Sequence, residues 1–199
     1  MEQLNIIQLD ALREISNIGV GNAATSLSNL LSRKIDITVP SVNSIRLDKL
    51  MEDIGESIVV GIVVKEIGEI EGNILIIFDK NVAEDVISNL TGTFEDVENM
   101  SSMGESVMCE IGNILSSTYM CAISRFTGFD LKASVPAVAC DMMDAIVATC
   151  IIESGQYDDY VLDIETLFLD NDSKEFGAHF YYIPVPEAVS KLMKKLGIN

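Results

Sequence analysis

"EISNIGVGNAA" at residues 14–24 and "EIGNILSSTYM" at residues 110–120 open on the same Glu-x-x-Asn spacing, 96 residues apart. Sliding the chain by 96 residues also sets Asp10 on Ser106 and Pro40 on Pro136, and Ile15, Ile18, Ser28, Val39, Val42 and Asp48 on identical residues. Further along the offset becomes 105, where Gly72 meets Gly177, Ala83 meets Ala188 and Gly92 meets Gly197. Such self-similarity marks an internal repeat, with an insertion of nine residues in the second copy around "ESGQYDDYV" (153–161). The expectation is one α+β domain over residues 1–199. Its pseudo-twofold-related halves lie at about 8–92 and 102–198, with a polar linker at about 93–101.

Each half reads helix, strands, helix. Over residues 9–31 the residues Leu12, Ile15, Gly19, Ala23, Leu27 and Leu30 recur in the steps of three and four that make one helix face. Ile- and Val-rich runs at 35–39, 42–47, 57–65 and 70–78 read as strands. A short amphipathic helix over 80–91 stops at Gly92. Ser102 and Glu105 have capping-box spacing ahead of a second long helix that runs to about Phe126, with Gly128 just beyond. Strands are expected near 131–135, 137–141, 145–152, 160–169 and 177–183, with Pro186 in the first turn of the last helix. The result is a mostly antiparallel sheet with two long, motif-bearing helices.

Composition removes several classes of function. The chain is 48% hydrophobic, too apolar for extensive disorder. Its longest apolar runs, "IVVGIVV" (58–64) and "ILIIF" (74–78), fall far short of the roughly 18–20 residues of a membrane span. The acidic start "MEQLNIIQLD" lacks the basic region of a secretory signal, so a cytoplasmic location is expected. A net charge of −18 repels phosphates and anionic lipid surfaces, which argues against nucleic acid and membrane partners. Cys109, Cys121, Cys140 and Cys150 form no CxxC pair and read as reduced, buried apolar residues. One histidine, His179, supports neither a histidine metal site nor a Ser-His triad, and no metal site is expected. No strand leads into a GxGxxG or phosphate loop. The "GVG" of the first helix reads as close helix packing.

Residues three and four apart share a helix face. Asp10, Glu14 and Asn17 therefore line up, as do Ser106, Glu110 and Asn113, off the apolar stripe. Each half should present a carboxylate and an amide. Glu-x-x-Asn alone is weak: Glu2 and Asn5 have the same spacing, with Ser28 where the repeated copies have Pro40 and Pro136. Two of the chain's four prolines stand at that fixed distance, which makes the doubled pattern specific. The prolines themselves read as structural, presetting a turn or strand boundary.

The pattern Asp/Ser-x3-Glu-x2-Asn-x22-Pro, "DALREISN…P" from Asp10 to Pro40 and "SVMCEIGN…P" from Ser106 to Pro136, resembles the CheC family of chemotaxis phosphatases. "NIGVGNAATSLS" resembles the first-helix context of that family, and the likeness spans nearly the whole chain. The related CheX proteins carry one such motif, and FliY proteins carry extra domains. The resemblance implies hydrolysis of the aspartyl phosphate of a phosphorylated CheY-type response regulator. Asn17 and Asn113 would then position water, since an amide offers both donor and acceptor. Glu14 and Glu110 would pair with a lysine of the regulator, and Asp10 and Ser106 would contact it. An acyl phosphate needs a placed water and charge stabilisation more than a new nucleophile. The family implies no cofactor held by this chain, since Mg2+ comes in the regulator's own active site. It also implies a second reading, a non-catalytic module that binds the receptor deamidase CheD or serves as a flagellar-switch scaffold.

Overall fold

The computed structural model describes residues 4–32, 34–154, 159–169 and 175–198. Asn5 starts the first helix, α1 (Ile6–Leu31): its side chain accepts from Gln8 N at 3.0 Å while the Gln8 side chain accepts from Asn5 N at 2.9 Å. The Asn of the unrepeated Glu-x-x-Asn is thus a helix cap. The chain continues through β1 (Asp36–Arg46), α2 (Leu47–Asp53), β2 (Ile58–Gly68), β3 (Gly72–Asp79) and α3 (Lys80–Thr91). Then follow α4 (Ser102–Thr127), β4 (Leu131–Ala133), β5 (Ala137–Met142), α5 (Met143–Ser154), β6 (Tyr160–Leu169), β7 (Glu175–Pro184) and α6 (Ala188–Leu196). Between α3 and α4, residues 97–99 make a 3-10 turn that buries Val97.

The strands pair antiparallel in the order β1-β6-β7-β3-β2, with β4 and β5 both on the free side of β2. At the centre Leu75 faces Tyr181 and Ile76 faces Phe180. A shift of 105 residues carries Leu75 to Phe180 and Ile76 to Tyr181, so it exchanges the two pairs. The repeat is therefore built into the sheet register.

Alternate residues feed opposite faces. Ile62, Val64, Ile74, Ile76, Phe180 and Tyr182 pack beneath α1 and α4 in the larger core cluster. Val59, Leu75, Ile77, Tyr181 and Ile183 pack on the other face against Leu50 of α2 and Ile146, Val147 and Cys150 of α5. Helices α1 and α4 touch at Gly19, where an added Cβ would stand 3.2 Å from Thr118 O and 3.3 Å from Ala122 Cβ. Gly21 of the same "GVG" has nothing within 4 Å. Among the described residues one carboxyl group lies in the larger core. Glu66 is 2% exposed, and neither of its oxygens meets a hydrogen-bond partner among the described residues. The Tyr182 hydroxyl donates to Glu71 O at 3.3 Å instead. Burial pushes the Glu66 carboxyl up to about 7, an effect the nearby phenol offsets only in part.

Several elements differ from the sequence reading. The run at 145–152, expected as a strand, is helix α5. Its buried residues Ile146, Val147, Cys150 and Ile151 follow a helical stripe while Ile152 is exposed, so packing against the sheet overrides β-branched propensity. Its repeat partner α2 was read partly as strand and partly as loop. The expected insertion at 153–161 falls partly outside the described residues, but α5 is 12 residues long against 7 in α2. The expected strands at 35–39 and 42–47 are one strand, β1, with a register shift between Thr38 and Ser41. The cap of α4 is Ser101 in place of Ser102: its hydroxyl accepts from Gly104 N at 3.2 Å, and Glu95, not Glu105, accepts from Ser101 N. Pro186 lies in a turn ahead of Glu187, the N-cap of α6, outside the helix. Of the four cysteines expected to be buried, only Cys150 is; Cys121 is exposed and Cys109 and Cys140 are half-buried. The glycine stops at Gly92 and Gly128 hold, both with positive φ.

Candidate functional site

The two motifs sit at matching places on α1 and α4, yet their amides do different things. In the first, the register shift in β1 skips Val39 and Pro40, so Val39 has no partner in the ladder with β6. Asn17 supplies both missing hydrogen bonds. Its Oδ1 accepts from Val39 N at 2.9 Å and its Nδ2 donates to Val39 O at 3.1 Å, with a further bond to Arg13 O at 3.1 Å. The side chain is half-buried, and its donor and acceptor are engaged. Glu14 is exposed, but Arg13 Nη2 stands 3.9 Å from its Oε1 and 3.3 Å from Asp10 Oδ1. An exposed cluster of this kind is worth little as stabilisation. It does place a cation among the carboxylates meant for a partner.

The second motif is open. Glu110 is exposed and has no ion-pair partner among the described residues. Asn113 is exposed too, and its Oδ1 accepts from Ser117 Oγ at 3.3 Å, which leaves both amide hydrogens outward and unspent. Ser106 lies on the same exposed face, its hydroxyl donating to Ser102 O at 2.7 Å. The expectation that each half presents a carboxylate and an amide therefore holds for Glu110 and Asn113, and for Glu14, but not for Asn17.

Chain path after the motif produces the difference. Behind Asn113 the strand breaks at Pro136 into β4 and β5, and both pair with β2. Ser134 ties the break to β2, its N donating to Lys65 O and its Oγ accepting from Lys65 N, each at 2.9 Å. Cys109 stands where the first motif has Arg13, and its thiol donates to Pro136 O at 3.7 Å. Burial, and then the Glu105 carboxylate, raise the Cys109 pKa, so the group stays a thiol and a donor. With these bonds made elsewhere, Asn113 has no strand backbone to satisfy. Residue identity before each Asn matters as well. Gly112 lets α4 lie on β2, where a Cβ would stand 2.5 Å from Ile62 Cγ2, and its counterpart Ser16 is buried with its hydroxyl on Leu12 O at 2.8 Å.

Sequence reading passed over Ser117, Gly112 and Ser134, and took Cys109 only as a buried apolar residue. Ser117 was legible, lying one helical turn after Asn113 where the first copy has Gly21. The roles of the others depend on contacts across the fold. Among the described residues no group of three His, Cys, Asp or Glu side chains is placed to hold a metal ion. No helix among them is long and apolar enough to cross a membrane.

A family model described as CheC-like matches residues 7–44 and 103–139, one match on each motif helix and the strand after it. The CheY-P phosphatase CheC of Bacillus subtilis is 32% identical over 198 residues, covering 96% of this chain and 95% of that protein. The chain belongs to the CheC-like family. It is by that membership a protein phosphatase, a hydrolase of the chemotaxis class. The crystal structure of Thermotoga maritima FliY shares the CheC-like fold with a TM-score of 0.77 at 22% identity, covering 98% of both chains. A CheX–CheY–BeF3–Mg2+ complex from Borrelia burgdorferi matches with a TM-score of 0.51 at 18% identity, covering 82% of this chain and 94% of that one.

Proposed function

We propose that this CheC-like chain hydrolyses the aspartyl phosphate of a CheY-type response regulator in the cytoplasm, and that the second motif is its working site. The observation that carries the ranking is the free amide of Asn113 beside the unpaired Glu110. Glu110 docks on a lysine of the regulator. Asn113 donates an amide hydrogen to the oxygen of the attacking water and holds it in line with the phosphorus. Water attacks, the bond from phosphorus to the aspartyl oxygen breaks, and the aspartate leaves as carboxylate while the water's proton passes to phosphate. Orientation is the contribution of the amide, which is too weak a base to take that proton itself. Mg2+ belongs to the regulator in this reading, as the resemblance to the CheC family implies.

For Asn17 to serve in the same way it must release Val39. Two hydrogen bonds at about 1 kcal/mol each leave a competent population about thirtyfold smaller. Glu14 and Asp10 then contribute to docking at most. The test is phosphate release from a phosphorylated CheY-type regulator with Mg2+. Asn113→Ala is expected to lose about a hundredfold in kcat, and Asn17→Ala less than threefold once folding is checked. If the wild type does not accelerate the decay, the phosphatase reading of the site is wrong; binding of CheD without turnover would then favour the regulatory module.

A further inference from the structure

Four hydroxyls of α4 rest where a helical Ser or Thr ordinarily does. Ser106, Ser116, Thr118 and Thr127 each donate to the backbone carbonyl four residues back, at 2.7–2.8 Å. Ser117 donates to a side chain instead, the Oδ1 of Asn113 at 3.3 Å. The carbonyl four residues behind it, Asn113 O, already accepts from Ser116 Oγ at 3.4 Å. We propose that Ser117 is the positioning residue of the second motif: its hydroxyl holds the amide oxygen of Asn113 and so turns the amide hydrogens toward the attacking water. The proposal rests on the function given above and deepens it at the same site.

An exposed asparagine needs such a partner. The torsion that carries its amide is broad and roughly twofold, so without a partner the oxygen and the NH2 group exchange places freely. Only the orientation with NH2 outward donates to a water. A donor held on the oxygen favours that orientation. Ser117 is half-buried, which limits the solvent that competes for its hydroxyl. Glu110 lies one turn before Asn113 and Ser117 one turn after it, so the docking carboxylate and the orienting hydroxyl act on the amide from opposite sides.

The first motif orients its amide by another device. Asn17 Oδ1 accepts from Val39 N, and the residue four positions on is Gly21, which has no side chain to offer. Where the strand holds the amide no hydroxyl is present, and where the strand has turned away one is. The consequences differ chemically. The Val39 peptide engages the Asn17 oxygen and, through its carbonyl at 3.1 Å, an amide hydrogen as well. A hydroxyl on the oxygen takes no hydrogen. Ser117 therefore fixes the Asn113 amide and leaves its donors for the substrate.

Phosphate release by Ser117→Ala, alone and combined with Asn113→Ala, and by Ser117→Thr tests this. Loss of one orienting hydrogen bond is expected to lower the kcat of Ser117→Ala about fourfold and to leave KM unchanged, because Glu110 still docks. Thr keeps the hydroxyl and is expected to bring kcat back to within about twofold of wild type. In the Asn113→Ala background the Ser117→Ala change is expected to cost nothing further, since a residue that acts through the amide then has nothing to hold. Binding to the regulator loaded with BeF3 and Mg2+ should not change. Alanine is the better helix former, so thermal stability should not fall either. An active wild type with an unchanged kcat in Ser117→Ala, or the same fourfold loss after Asn113 has been removed, overturns the positioning role alone. A wild type that does not accelerate dephosphorylation overturns the function as well.

Discussion

Replacing Asn17 with alanine separates a latch from a catalyst. The substitution removes the acceptor for Val39 N and the donor to Val39 O, bonds of 2.9 and 3.1 Å. Val39 is 2% exposed and is skipped by the strand ladder, so neither backbone group has another partner close by. A buried group left without its hydrogen bond costs about 1–3 kcal/mol. The half-burial of Asn17 itself lets water relieve part of this, which puts the loss at about 2–3 kcal/mol. In a domain of this size each kcal/mol moves Tm by roughly 2–4 °C, so a fall of about 5–10 °C is expected. Asn113→Ala removes one exposed bond of 3.3 Å and inserts a better helix former, so its stability should stay within about 0.5 kcal/mol of wild type. Urea unfolding of the two variants, fitted with a common slope, measures the difference. Equal stabilities, or an Asn17→Ala protein as stable as wild type, would refute the latch and with it the ranking of the two motifs.

Glu66→Gln tests the buried carboxyl. Its folded pKa of about 7 lies above the ordinary 4.5, so the folded state keeps a proton that the unfolded chain releases. Wild-type stability from this group is full below about pH 4.5, falls as pH rises to about 7 and is flat above, a total of about 3 kcal/mol. Chemical denaturation of both proteins from pH 4 to pH 8 should show the gap between them change by about that amount in favour of Gln; a constant gap rejects the assignment. Gly112→Ala forces a Cβ against Ile62, an overpacking cost of about 1–3 kcal/mol that outweighs the gain of about 1 kcal/mol in helix propensity. Gly21→Ala meets nothing within 4 Å and should stabilise by about 0.5–1 kcal/mol, so thermal unfolding of the two should shift in opposite directions.

The doubled spacing, the long amphipathic helices and the glycine stops were all legible because they are local: steps of three and four, or one residue with positive φ. The Glu-x-x-Asn pairs were placed on matching helix positions for the same reason. Helix α5 was misread because "AIVATCII" satisfies both a strand's propensity and a helix's stripe, and only the sheet it covers distinguishes them. Comparing it with α2 at the same offset would not have helped, since that helix is only 7 residues long.

From its residues alone, this chain had two motifs of equal standing, each followed by Val-Pro at the same distance. Tertiary structure made them unequal. Beyond Pro40 the strand runs on beside β6, and the skipped Val39 needs the Asn17 amide. At Pro136 the strand breaks, β2 and Cys109 hold the loop, and both Val135 and the Asn113 amide are left facing outward. Hydrogen-bond demand of a strand 22 residues away decides whether the amide is spent, and that demand depends on which neighbours the strand pairs with.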